Sequence, residues 1–211
     1  MNAPETASAA PPARRLPVRW SLVVATLLVL AAIVGLRRAE PGYTDKLAPV
    51  LLPGRVEQRV EARNFAVQVK RVKLAHAYRV RGDALNPGPR LVGTSGIWLS
   101  ALTEVEVLQA PGFVSAQLRT RDGLVYPASD HDRPKLPGMN LSGQQLAAGL
   151  PATGGYFFEL PPEKLAGAHL QFYAGTLKPS NMDHLVDIDL GLDAARTRKL
   201  FAEAKPVLDL Q

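Results

Sequence analysis

The stretch Ser129-Asp-His-Asp-Arg133 holds the densest set of chemically capable side chains in the 211-residue sequence. Asp130 and Asp132 offer carboxylate oxygens and His131 an imidazole nitrogen, donors that suit a divalent metal or a polar ligand. Consecutive residues rarely converge on one centre, and no further ligand follows at metal-site spacing, so the segment reads as a solvated loop. Asp130, His131, Asp132 and Arg133 are kept as a candidate interaction surface. An envelope enzyme would need His131 and an aspartate to meet in a cleft. His76, His169 and His184 are scattered, and His76 falls in phase with Leu74 and Tyr78, which predicts a place at the edge of the core. Ser95, in Gly-Thr-Ser-Gly-Ile-Trp, lacks the G-x-S-x-G setting of a nucleophile elbow. There is no phosphate-binding glycine motif and no cysteine. No catalytic residue, metal ligand or cofactor site is assigned, and the chain is expected not to be an enzyme.

A second pattern is electrostatic. Arg55, Arg59, Arg63, Lys70, Arg71, Lys73, Arg79 and Arg81 lie close together, opposed only by Glu57 and Glu61. Lys73, Arg79 and Arg81 share a parity opposite to Val72, Leu74 and Val80, which predicts a basic exposed strand face. Such a face could meet anionic lipid headgroups or an acidic partner, or simply be solvated and guard a sheet edge. Asp183, Asp187, Asp189 and Asp193 form an acidic stretch that could pair with it. The formal net charge of +6 is too mild and too dispersed for a nucleic-acid-binding face.

These groups must be positioned by the elements around them. Trp20 to Leu36 is a run of 17 residues without a charge, bounded by arginines. It is long enough to approach the span of a bilayer. A secretory signal has a shorter apolar region followed by small residues at its cleavage site, whereas this run ends in Val-Gly-Leu-Arg-Arg. An uncleaved signal-anchor is predicted, with the bilayer contacted through Trp20 to Leu36. Arg14, Arg15 and Arg19 precede it and Arg37, Arg38 and Lys46 follow it, so the positive-inside rule is nearly balanced. The short Ala- and Pro-rich tail tips the reading toward a cytoplasmic N-terminus and an extracytoplasmic C-terminal domain. The predicted organisation is a cytoplasmic tail at 1–19, a transmembrane helix at 20–36, a linker at 37–54 and a single domain at 55–211.

Within that domain the hydrophobic pattern has period two, the mark of strands. Phe65, Val67 and Val69 share one face, and a parity shift near Lys70 predicts a β-bulge before Val72 and Leu74. Ile97, Leu99, Ala101, Thr103, Val105 and Val107 alternate with Trp98, Ser100, Leu102, Glu104 and Glu106 in the clearest strand. Asp122-Gly123 predicts a hairpin. A helical turn is expected at Gly143 to Ala148, three further strands follow, and Asp193 is placed to cap a short C-terminal helix. With 17 glycines and 18 prolines as punctuation, the expected fold is all-β, an antiparallel β-sandwich.

The succession Asn64-Phe-Ala-Val-Gln-Val, Leu99-Ser-Ala-Leu-Thr-Glu-Val-Glu-Val, Leu118-Arg-Thr-Arg-Asp-Gly-Leu-Val-Tyr and Gly149-Leu-Pro-Ala-Thr-Gly-Gly-Tyr-Phe-Phe-Glu-Leu-Pro resembles a family of small bacterial extracytoplasmic immunoglobulin-like sandwiches, a group that includes secreted actinobacterial antigens. The resemblance spans residues 56–190. It implies an immunoglobulin-like fold and an exported or tethered binding or accessory domain, and it supplies no catalytic residues. Together these features lead to the expectation of a membrane-anchored protein-interaction domain, an accessory subunit of a membrane transport or envelope assembly with a membrane-protein partner. The alternatives are a small-molecule or lipid-binding module of the envelope and, if the N-terminal segment is cleaved, a secreted binding domain.

Overall fold

The computed structural model describes residues 20–39, 48–80, 88–129, 139–176 and 178–210. The chain divides into two compact units, Met1–Lys46 and Leu47–Gln211. The first holds helix α1, Trp20–Ala39, three residues longer than the apolar run. At 1.5 Å per residue it is about 30 Å long, the thickness of a bilayer hydrocarbon core. Its span Trp20–Arg38 has a mean hydropathy of 2.1 and none of it is buried inside the protein. Thr26 donates its hydroxyl to the Leu22 carbonyl (2.8 Å), so this polar side chain of the run is satisfied within the helix.

The second unit is a β-sandwich. One sheet has the order β1-β9-β8-β5-β6, built from Val50–Arg55, His184–Asp189, His169–Ala174, Val114–Arg119 and Val125–Pro127. The other has the order β10-β3-β4-β7, from Leu208–Leu210, Phe65–Val80, Arg90–Val107 and Ala152–Leu160, with β2 (Arg59–Glu61) also paired to β3. The wholly antiparallel expectation is corrected at two edges: β1 runs parallel to β9, and β10 parallel to β3. Parallel neighbours need long connections, and these two pairs join strands from opposite ends of the domain sequence. The first sheet also takes in Val50 to Gly54, residues that the sequence reading assigned to the linker.

Strand β4 shows how the pattern becomes packing. Ile97, Leu99, Ala101, Thr103, Val105 and Val107 are all buried and, apart from Thr103, join the main core between the sheets. Thr103 turns its hydroxyl back to the Ala101 carbonyl (3.2 Å). Tyr156 of β7 and Phe172 of β8 meet edge to face across the core, ring centroids 5.3 Å apart. The Tyr156 hydroxyl donates to the Val114 carbonyl (2.7 Å), a bond that ties β7 to β5 of the other sheet. The Asp122-Gly123 turn forms as expected, with Gly123 at a φ of 86° and β6 returning against β5. In β7, a Cβ at Gly154 would lie 2.7 Å from the Met139 carbonyl oxygen, so that strand admits the close approach of residues 139–141 only with glycine there.

Gly143 to Ala148 forms no helical turn; Leu146 and Ala148 instead make isolated bridges to Gly112 and Val107. Helix α2 does form, over Ala194–Ala202, with the Asp193 carboxylate accepting from the Arg196 N–H (2.7 Å).

The long strand β3 carries two register shifts against β4, between Val69 and Arg71 and between Ala75 and Ala77. The first is the bulge that the parity change announced. The second was not anticipated, and it overturns two expectations. His76 sits in the irregularity, exposed, instead of at the core edge. The faces also exchange: Lys73 shares the outer face with Ala75, Tyr78 and Val80, while Arg79 points to the opposite side. On that outer face Ala75, Tyr78, Val80, Trp98 and Phe157 form a second apolar cluster, with Val92 and Leu208 packed against it.

Candidate functional site

Of the residues singled out by sequence, Arg81, Asp130, His131, Asp132 and Arg133 lie outside the described residues. The flanks of the Asp130–Arg133 segment are anchored on β7. Ser129 donates its N–H to the Phe157 carbonyl (2.8 Å), the Gly155 N–H bonds to Met139, and the Asn140 amide donates to the Ser129 carbonyl (3.0 Å). Arg79 is paired with Asp209 of β10 (2.9 Å).

Half of the basic run is neutralised in the same manner, Arg79 included. Arg59 pairs with Glu106 (2.6 Å), Lys70 with Glu104 (3.2 Å) and Arg63 with Asp183 (2.7 Å). The last pair realises the expected match between basic run and acidic stretch. Burial alone would raise the Asp183 pKa, but hydrogen bonds from Arg63 and from the His184 N–H hold it below the usual carboxylate range. The other aspartates have local roles. Asp187 accepts from the Gln171 amide (3.0 Å) and meets His169 Nδ1 (3.1 Å), and Asp189 accepts from the Gly191 N–H (2.7 Å).

Two basic residues of β3, Arg71 and Lys73, have no acidic partner among the described residues. Register places both on one face, opposite Leu102 and Ser100. Lys205, just after α2, bridges in parallel to Ala75 and so adds a third cation to that face. All three are exposed. Glu203 lies nearby but faces Lys199 (4.0 Å) on its own helix. The sequence reading found Lys73, left out Arg71 although it shares the parity of Lys73, included Arg79 because the second bulge lies between them, and missed Lys205 because it is 132 positions away and joined only by the fold.

The three cations border an opening in the sheet edge. On the side of β3 away from β4, β2 pairs with Ala66 to Gln68, and the Glu57 N–H donates to the Val69 carbonyl (2.7 Å). Pairing resumes where the Lys205 N–H donates to the Leu74 carbonyl (3.1 Å) and the His76 N–H to the Lys205 carbonyl (3.0 Å). Backbone groups of alternate residues point to the same side of a strand, so the Val72 N–H, the Val72 carbonyl and the Leu74 N–H face this edge too. They have no backbone partner there among the described residues. Beside them is a cleft of about 510 Å³, walled by Val72, Leu74, Leu200, Ala202, Ala204 and Pro206, with Lys73, Lys205 and Glu203 on its lining. Apolar walls, free backbone donors and a cationic rim suit an extended, negatively charged chain better than a reacting substrate.

Other places fit catalysis less well. The cleft beside Ser95, about 410 Å³, is lined by Gly96, Glu159, Leu160, Pro161, Pro162 and Glu163 and holds no imidazole. Gln117, Gln171, Asp187 and His169 form a hydrogen-bonded row across β5, β8 and β9, but the nearby Ser115 hydroxyl is committed to the Gly175 carbonyl (2.6 Å). Among the described residues no group of three or more His, Asp or Glu could hold a metal ion.

No protein-family model matches the chain, and no curated protein sequence matches it. Among solved structures it is similar to an uncharacterised β-sandwich protein from Clostridium difficile 630, at 9% identity and a TM-score of 0.40, covering 70% of this chain and 99% of that one. It is also similar to the yjhA protein of Bacillus subtilis, at 14% identity and a TM-score of 0.44, covering 64% and 99%. The third is the secreted protein MPT63 of Mycobacterium tuberculosis, at 14% identity and a TM-score of 0.42, covering 65% and 98%.

Proposed function

We propose that the chain is a single-pass membrane protein whose α1 stays in the bilayer as an uncleaved anchor, N-terminus in the cytoplasm. Its immunoglobulin-like sandwich then lies outside the cytoplasm and acts by binding protein, as an accessory subunit of a membrane transport or envelope assembly. The observation that carries this reading is α1 itself. A 20-residue helix whose span Trp20–Arg38 is wholly unburied within the protein needs an apolar medium to cover it. The sandwich supports a binding role in a weaker sense, through strands that are committed to packing and clefts that, among the described residues, bring together no acid, base and nucleophile.

The test is purification of the full-length chain from its native membranes in mild detergent, with its intact mass and protease shaving of whole cells. An uncleaved N-terminus, a sandwich shaved from outside and a membrane protein in fixed ratio are the expected results. A chain that begins beyond Leu36 in the soluble fraction would overturn the anchor and leave a secreted binding domain.

A second reading, a small-molecule or lipid-binding module, draws on the outer aromatic cluster. The Tyr78 hydroxyl and Trp98 Nε1 are buried there without a hydrogen-bond partner among the described residues, an arrangement that a ligand's polar group would relieve. Native mass spectrometry of the purified domain would show a bound ligand if this reading holds, and the bare chain mass if it does not.

A further inference from the structure

We infer that the open stretch of the β3 edge, from Val72 to Leu74, is a docking groove for a short extended acidic segment of the protein partner, which adds to the sheet as a strand. The inference rests on the protein-binding reading above and goes beyond it by naming the surface and the chemistry of what it takes.

The edges at β7, β1 and β6 are covered or blunted. β7 is covered by the Leu141 N–H bond to the Gly155 carbonyl (3.0 Å) and the Ser129 N–H bond to the Phe157 carbonyl. β1 contains Pro53, and the three-residue β6 ends in Pro127; proline in an edge strand discourages further pairing. At Val72 to Leu74 an edge combines three backbone groups without a backbone partner among the described residues with a flanking cleft. Two of the three are N–H donors, so the edge asks for carbonyl acceptors from an extended chain, the pattern of β-strand addition.

Charge selects the side chains. Arg71, Lys73 and Lys205 stand on one face of this edge, exposed and without acidic partners among the described residues. Val72 and Leu74 present the cleft's apolar wall on the opposite face. Side chains of an added strand alternate between the same two faces. A matching segment therefore alternates Asp or Glu with apolar residues.

The test pans a phage-displayed random decapeptide library against the purified full-length chain in phosphatidylcholine nanodiscs. Enriched peptides should alternate acidic and apolar residues. The double variant Lys73→Glu with Lys205→Glu should weaken their binding by about tenfold or more, and peptides with Lys in place of the acidic residues should bind this variant better than the parent. Because the rescue is a gain of binding, a misfolded variant cannot produce it. N-methylation of the peptide should abolish binding at one set of alternate amides and spare the other. Enrichment of no peptide, enrichment without acidic residues, or equal binding to the double variant would overturn the inference. So would a double variant that loses binding to phosphatidylglycerol vesicles but not to peptides, which would assign the cations to lipid headgroups. Since the selection uses purified protein, its outcome does not depend on which side of the membrane the domain occupies; a failed topology test and a failed groove are separate results.

Discussion

Tyr156 and Tyr78 are both deeply buried, and burial pushes both phenols well above the usual tyrosine range, yet their hydroxyls differ in consequence. Tyr156 donates to the Val114 carbonyl, so Tyr156→Phe leaves a buried acceptor unpaired and should lower stability by about 1–3 kcal/mol. The Tyr78 hydroxyl lies close to Ser100 but makes no hydrogen bond of good geometry among the described residues. Tyr78→Phe removes a desolvated hydroxyl and should be neutral or slightly stabilising; urea unfolding of the two variants side by side checks the contrast. A loss of similar size in both would mean that the Tyr78 hydroxyl is satisfied after all. Asp183 sets a pH limit. Its folded pKa lies below its unfolded value, so its contribution is present above the ordinary carboxylate pKa of about 3.9 and is lost as pH falls through the folded value. Asp183→Asn should therefore be less stable than the parent at neutral pH, with the difference closing below about pH 4. A difference that persists unchanged into acid would show that the carboxylate charge is not what Arg63, Asn64 and the His184 N–H recognise. At this scale the sequence was informative about residue type and poor about partners. Asp193 was recognisable as a cap because its partner lies three positions away, whereas Asp183 meets Arg63 across 120 positions.

Strand β3 separates what sequence periodicity can disclose from what it cannot. The first bulge left a trace because Val69 and Val72 are both apolar and lie on either side of a parity change. The second left none: Ala75 and Ala77 are small enough to suit either face, and His76 continues the even-numbered series Leu74, Tyr78 and Val80. The apparent single face of Lys73 and Arg79 followed from this, as did the place assigned to His76. Strand β4 was legible throughout its core half because its alternation is unbroken from Ile97 to Val107. Gly143 to Ala148 misled because isolated bridges have no period of their own. The bulge at His76 should matter more than the residue that occupies it. His76→Ala, at an exposed position, should change stability by no more than about 0.5 kcal/mol. Deletion of His76 together with Ala77 forces strict alternation from Ala75 to Tyr78, which turns Tyr78 and Val80 away from Trp98 and Phe157 and sends Arg79 into their place. That variant should lose several kcal/mol, about 3 or more, and the Trp98 emission should shift to the red as its cluster opens. Equal tolerance of both changes would mean that the strand slips at little cost and the faces assigned here are not fixed.

The whole molecule joins a helix long and apolar enough to cross a membrane to a β-sandwich with its own core. The sandwich core draws its buried residues from Val60 to Leu192, contributed by both sheets and the connections between them, and none comes from α1. Residues 47–211 are long enough for a domain to bury about two-thirds of its unfolded surface. There is no cysteine and no metal cluster among the described residues, so packing and hydrogen bonding must carry the stability. The two parallel edge pairs, β1 on β9 and β10 on β3, close the domain with its first and last strands. Native order therefore requires nearly the whole of residues 50–210, and partial removal from either end should be felt across the sheets. From this it follows that residues 47–211, expressed without α1, should be soluble and unfold in one cooperative transition. Its urea midpoint should match that of the full-length chain in detergent, because no residue of α1 belongs to the core. A chain shortened further to begin at Val56 loses β1, exposes the β9 edge and uncovers part of the core beside Leu52. It should unfold at lower urea and tend to associate through the freed edge, as light scattering would register. If residues 47–211 instead bind hydrophobic dyes and unfold without cooperativity, the sandwich depends on α1 or its surroundings. The division of the chain into an anchor and a self-sufficient domain would then be wrong.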